Sequence, residues 1–187
     1  MARILTPACI ADGPTITAST PTSCVPVRCP LTFEPGYLTE GATLRLRMSG
    51  KISTSILDGL GTLNQSPGTA RFDLRLGGVV VWDSLAVPLN TALGLTNVPW
   101  VLSVELRCRA IGSAATLIGT GTWHCIAVKG GSAVAAKASA NAVLPWNTAP
   151  VVGAAFDSYA RLGVDVFFTQ TVGTGSLTVS GYSLEEV

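Results

Sequence analysis

Apolar and polar residues alternate with a period of two over most of the chain after Ala42, and this alternation limits the fold more than any other feature. Successive side chains of a β-strand point to opposite faces, so the pattern predicts strands with one buried and one solvated face. It is clearest in residues 44–52, 71–76, 100–110 and 161–169. No window of a dozen residues shows the period of an amphipathic helix.

Glycine-rich and proline-rich turns separate the alternating segments. The pair Gly77-Gly78 predicts a hairpin that joins residues 71–76 to the apolar run at 79–82. About eight strands with turns between them are typical of an antiparallel sandwich or jelly roll. We therefore predict an all-β fold, in which residues 36–187 form a single antiparallel β-sandwich of the jelly-roll type.

The last alternating segment contains a change of phase. Leu177 and Val179 share one phase, whereas Tyr182 and Leu184 share the opposite one. A β-bulge inserts one extra residue and restores the inward direction of the following side chains. The sequence thus predicts a bulge at Ser180-Gly181.

The first 35 residues contain six of the eleven prolines, interleaved with threonine and serine. Proline has no N–H to donate and cannot sit inside a helix, so residues 1–35 are predicted to form an extended N-terminal arm with short edge pairings at most, such as one near residues 15–18. Its apolar residues favour an arm that lies against a surface, either its own or that of a neighbour. We expect it to reach away from the sandwich onto a neighbouring molecule.

Charged residues are only 12% of the chain, hydrophobic residues are 48%, and the mean hydropathy is +0.47. This composition excludes a disordered chain and predicts that other subunits cover part of the surface. The net charge of +1 predicts no binding to nucleic acid or to an anionic membrane. No stretch reaches the ~18 apolar residues of a membrane helix, and the N-terminus lacks a signal-peptide core. We expect the chain to be made and folded in a cytoplasm.

The cysteines are odd in number and irregular in spacing, which argues against a secreted disulfide framework. Cys24 and Cys29 have the spacing of half a zinc site, but His124 is the only histidine. We therefore expect no metal and no cofactor. Cys108 and Cys125 fall on the inward phase of a hairpin predicted near residues 112–117, so both should be buried and reduced. The full set is Cys9, Cys24, Cys29, Cys108 and Cys125.

Catalytic constellations are not evident. His124 lies on the outward phase of its segment if Trp123 and Cys125 point inward, and no nucleophile elbow accompanies it. The acidic residues are scattered singly apart from Glu185-Glu186, and the tryptophans fall in or beside strands, where core packing explains them. We expect that the chain is not an enzyme.

Arginine on the outward phase of three segments is the most unusual feature, and nine of the twelve basic residues are arginine. Cross-strand ion pairs explain this adequately, because Asp73 and Glu105 are interleaved with the arginines. A subunit interface explains the bias towards arginine better, because interfaces are enriched in arginine and depleted in lysine. The candidate interface residues are Arg45, Arg47, Arg71, Arg75, Arg107 and Arg109.

Several blocks of the sequence also resemble a known group of proteins. The blocks are residues 44–53 (LRLRMSGKIS), 67–77 (PGTARFDLRLG), 96–100 (TNVPW), 106–112 (LRCRAIG), 117–122 (LIGTGT), 144–147 (LPWN), 165–170 (DVFFTQ) and 175–178 (GSLT). Together, over roughly residues 40–187, they resemble jelly-roll decoration (cement) proteins of the heads of tailed bacteriophages. The resemblance implies a homotrimer on the outside of the virion that clamps and stabilises the shell of major capsid protein. It implies no catalytic residues.

Two alternatives stay open at this point. One is another virion part, such as a tail-associated or head-fibre subunit, and the other is a carbohydrate-binding module for host adhesion. A glycan binder should expose coplanar tryptophan or tyrosine rings, whereas a decoration protein should expose apolar and arginine-rich patches.

Overall fold

The computed structural model describes residues 3–6, 11–28, 30–55, 68–90, 94–128, 140–173 and 175–187. These residues form antiparallel strands, turns and isolated bridges, and none of them is helical. The strands are β1 (Arg3–Ile4), β2 (Thr22–Ser23), β3 (Leu31–Phe33), β4 (Thr43–Thr54), β5 (Thr69–Leu76), β6 (Val79–Asp83), β7 (Val87–Pro88), β8 (Leu95–Ala110), β9 (Thr116–Cys125), β10 (Ala140–Leu144), β11 (Leu162–Gln170) and β12 (Ser176–Glu186). The predicted all-β antiparallel sandwich is confirmed.

The strands form two sheets. Sheet A has the order β1-β12-β4-β8-β9-β10. Sheet B has the order β2-β11-β5-β6, with β3 paired to β11 and β7 paired to β5. The chain passes from one sheet to the other between β1 and β2, between β3 and β4, between β4 and β5, between β7 and β8, and on both sides of β11. Neighbours within a sheet are therefore often far apart in the sequence.

The core lies between the two sheets and is built by the inward residues of the alternating segments. Phe72 of β5 stands at its centre, with ring centroids 5.6 Å from Trp100, 5.3 Å from Trp123 and 5.2 Å from Phe168. All four rings are at most 1% exposed. Aromatic burial on this scale supplies much of the hydrophobic driving force of a small domain.

The predicted local irregularities are present. The pairing of β12 with β4 changes register between Val179 and Gly181, which confirms the bulge. The Gly77-Gly78 turn joins β5 to β6 in an antiparallel hairpin, and both glycines have positive φ. In β9, a Cβ on Gly119 would lie 2.9 Å from Cδ1 of Trp82 in the opposite sheet. This close approach explains why glycine stands inside a strand.

The arm is extended, as predicted, but the expectation that it reaches away from the sandwich is wrong for its described residues. Ile16 forms a bridge with Leu177 of β12, while β2 and β3 both pair with β11. The arm therefore covers one open side of the sandwich, where sheet A ends at β12 and sheet B ends at β11. The physical reason is that Ile16 and Cys24 are buried there, and unpaired edge groups gain main-chain partners.

Residues 145–156 close the opposite side of the sandwich. The N–H of Gly153 donates to the carbonyl of Leu117 in sheet A at 2.8 Å, and the N–H of Trp146 donates to the carbonyl of Ser84 beside sheet B at 2.8 Å. Both open sides are thus covered by the same chain, and the outer faces of the two sheets remain as its broad surfaces.

Candidate interaction surface

The six candidate arginines lie on two opposite outer faces of the sandwich. Arg45 and Arg47 on β4 share the outer face of sheet A with Arg107 and Arg109 on β8, because β4 and β8 are paired. The two arginines of β5, Arg71 and Arg75, lie on the outer face of sheet B. The structure therefore separates the set into two groups.

The arginines of sheet B are engaged within the chain. Arg71 donates two hydrogen bonds to Asp83, at 2.8 and 2.7 Å, and this contact raises the pKa of its guanidinium. Arg75 pairs with Asp73 at 2.5 Å and stacks over the ring of Phe167, with its central carbon 3.8 Å from the ring centroid. These contacts give Arg71 and Arg75 a structural role, and their part in an interface stays a prediction.

The outer face of sheet A carries a surface that we name the basic face, formed by Arg45, Arg47, Lys51, Arg107 and Arg109. Arg45 pairs with Glu105 at 2.7 Å. Arg47, Arg107 and Arg109 are exposed, and no carboxylate of the described residues lies within ion-pair distance of them. Arginine that is exposed and unpaired is available to bind a partner that carries negative charge.

This face has two shallow depressions, one on each side of Arg45 along β4. The first has a volume of about 400 Å³ and contains Arg107, with Thr43, Thr120, Ile118 and Pro150 around it. Glu105 also contributes to its wall. The second, of about 310 Å³, contains Arg47 with Ser49, Val101 and Ser183. Each depression combines two hydroxyl groups, an apolar wall and one arginine that has no carboxylate partner among the described residues, and the first also holds the carboxylate of Glu105.

A mainly apolar patch, with the Asp83 carboxylate at its border, lies at the side of the sandwich and was not recognised from the sequence. It includes Val151, which is 70% exposed, its chain neighbour Val152, and Leu85, which lines the same depression as Val151. Part of it forms a depression of about 210 Å³ lined by Leu85, Pro145, Thr148 and Val151. The sequence feature that could have indicated the patch is the absence of any charged residue in residues 141–156. Exposed apolar patches of this kind are typical of protein contacts.

The aromatic residues do not form a flat exposed platform in the part of the chain that the structure describes. Trp82, Trp100 and Trp123 are buried and Trp146 is half-buried. Tyr159 is the exposed aromatic residue among the large exposed hydrophobics, at 62%.

The cysteine and histidine side chains are placed as the alternation predicted. Cys108 and Cys125 are buried free thiols on the β8–β9 hairpin, and Cys24 is a third. Burial raises the pKa of Cys125 to about 11 and also raises the pKa of the other two, so none is an activated nucleophile. Cys9 and Cys29 lie outside the described residues.

His124 is exposed on the outer face of sheet A, and its neighbours across the strands are Val101 and Asn141. This position confirms the predicted face. Within the described ranges, no group of three or more histidine, cysteine or acidic residues could hold a metal ion. The described residues also contain no helix that is long and apolar enough to cross a membrane.

Comparisons with known proteins place the chain in no family. No family model matches the sequence, and no curated protein matches it. A solved structure, the CBM2 module of Lactobacillus casei BL23 phage J-1 evolved Dit, aligns with a TM-score of 0.32 and 9% identity. The alignment covers 84% of this chain and 67% of that chain. A similarity this weak transfers neither a detailed fold nor a function.

Proposed function

We propose that the chain is a structural, non-enzymatic protein of a bacteriophage virion and that it binds a neighbouring virion protein through the basic face. The observation that carries the binding proposal is a set of exposed arginines on that face that have no carboxylate partner in the described part of the chain: Arg47, Arg107 and Arg109. Arginine is over-represented at protein interfaces, where its planar guanidinium binds carboxylates with two hydrogen bonds. The sequence resemblance supports the virion as the place of action.

Within the virion, we propose that the chain decorates the outside of the capsid as a homotrimer. Each copy would make one weak contact with the shell. Because the three copies are linked, the binding of one would raise the effective concentration of the other two at the shell. Binding to the assembled shell alone would stabilise that shell against the pressure of packaged DNA. The exposed apolar patch near Val151 offers a surface that another copy could cover.

The position is tested by labelling the chain on intact particles with a gold-conjugated antibody and imaging them in the electron microscope. Label over the head supports a decoration protein. Label on the tail would replace the capsid position with the tail-associated alternative. Purified particles that contain none of the chain would overturn the proposal as a whole.

The oligomeric state is tested by light scattering on the purified chain. We expect a mass three times that of the 19.2 kDa chain. A chain that stays monomeric at high micromolar concentration would contradict the trimer. Binding to immobilised host glycans, measured in parallel, is expected to be absent and would instead favour the carbohydrate-binding alternative.

A further inference from the structure

We infer that the partner of the basic face is an acidic protein surface that places one carboxylate in each of the two depressions, one on Arg107 and one on Arg47. This inference rests on the proposed function and specifies the chemistry of the partner. It starts from the similar composition of the two depressions, which lie on the same face and differ in sequence.

The spacing of the two arginines is fixed by the sheet. Arg107 lies opposite Thr43, and Thr43 is four residues before Arg47 on the same strand. At about 3.4 Å per residue, the two strand positions are about 14 Å apart. Both strands are interior strands of sheet A, with a neighbour on each side. The arginines therefore project from a rigid base, and binding does not have to order the backbone.

The groups around each arginine suit a carboxylate on an aliphatic stem. In the first depression, Thr43 and Thr120 supply hydroxyl donors, and Ile118 and Pro150 supply the apolar wall. In the second, Ser49 and Ser183 supply hydroxyl donors, and Val101 supplies the wall. Aspartate or glutamate would place its oxygens on the guanidinium and hydroxyl groups, and its methylene groups on the wall.

The carboxylate of Glu105 lies between the two arginines and distinguishes a protein from a nucleic acid. It accepts hydrogen bonds from Nε of Arg45 at 3.0 Å and from a terminal nitrogen of Arg45 at 2.7 Å, and its side chain remains 54% exposed to an approaching anion. A nucleic-acid backbone carries closely spaced phosphates. A phosphate strand that crossed both depressions would pass the Glu105 carboxylate and be repelled by it. Two separate acidic side chains, one on Arg107 and one on Arg47, leave the Arg45–Glu105 pair uncrossed between them, so that only the first of them lies beside Glu105.

The test uses capsid shells and tails purified from particles that lack the chain, and measures the binding of the full-length protein to each. The variants Arg47→Glu and Arg107→Glu each reverse the charge of one depression. Arg28→Glu is the matched control, because Arg28 is exposed, lies outside the basic face and lines neither depression. Far-ultraviolet circular dichroism and thermal melting confirm that each variant is folded.

We expect Arg47→Glu and Arg107→Glu each to weaken binding by about tenfold or more, and Arg28→Glu to leave it nearly unchanged. Amidation of the exposed carboxylates on the particle should abolish the binding of the wild-type chain, whereas nuclease treatment should leave it unchanged. The inference is overturned if either depression variant binds as tightly as wild type, if Arg28→Glu is equally harmful, or if amidated particles still bind. A wild-type chain that binds neither shells nor tails would overturn the proposed function itself.

Discussion

Asp73 points to the outer face of sheet B, yet it is only 2% exposed. Its carboxylate is compensated by the ion pair with Arg75, whose guanidinium is held in turn by the ring of Phe167. A buried carboxylate that loses its partner keeps the cost of its desolvation. The pair is therefore a stability element rather than a spare charge on the surface.

Replacing Arg75 with alanine should lower the free energy of unfolding by about 3 kcal/mol, because Asp73 would remain buried without a counter-ion. Arg45→Ala is the control. Its partner Glu105 has a side chain that is 54% exposed, so this change should cost about 1 kcal/mol or less. Urea denaturation measures the free energy of unfolding of both variants. Equal losses would show that the Asp73–Arg75 pair stabilises the chain no more than an exposed ion pair does.

The buried thiol of Cys125 predicts a dependence of stability on pH. Burial raises its pKa from 9.0 to about 11, so the thiol ionises more readily in the unfolded chain than in the folded one. Its contribution to stability is fully present below pH 9 and is lost as the pH rises through 11. The free energy of unfolding should fall over this range, and Cys125→Ala should make the fall shallower. Identical slopes for the two proteins would contradict this assignment.

Among the elements, the strands were easier to predict than their partners. Alternation identified β4, β5, β8 and β11, because the period of two is a local property of the chain. It could not place Arg71 and Arg107 on opposite faces of the molecule, because that depends on which sheet each strand joins. The arm shows the same limit. Its prolines predicted an extended conformation, but the Ile16–Leu177 bridge joins residues more than 150 positions apart.

The arm should contribute directly to folding stability. Ile16 is 2% exposed, so its replacement by alanine would leave a cavity on the side of the sandwich that the arm covers. The change should lower the free energy of unfolding by about 2–4 kcal/mol. Thr17→Ala is the neighbouring control, because this side chain is exposed and the change should cost about 0.5 kcal/mol or less. An Ile16→Ala chain as stable as wild type would show that the arm is not part of the folded core.

A second prediction at the level of structural elements concerns residues 145–156. A Cβ on Gly153 would collide with the main-chain carbonyl of Val81, which cannot move without disturbing β6. Gly153→Ala should therefore destabilise the chain by about 1–3 kcal/mol. Gly163 on β11 has nothing within 4 Å of the same position and provides the control, with little change expected. Thermal melting of both variants decides whether the close approach is required.

At the scale of the whole molecule, the two broad outer faces differ in how their charges are used. On sheet B, Arg71 and Arg75 are paired with aspartates of the same chain. On sheet A, Arg47, Arg107 and Arg109 have no carboxylate partner among the described residues. The sequence predicted an arginine-rich surface as a whole, and the strand pairing divides it into a structural half and a half available for binding.

Electron cryomicroscopy of the intact virion tests the central proposal most directly, because it gives both the position and the orientation of each sandwich. We predict density for the chain on the outside of the head, with the basic face towards the shell and with Arg47 and Arg107 each next to an acidic side chain of the partner. A chain whose basic face points to solvent while another surface makes the contact with the virion would contradict the account.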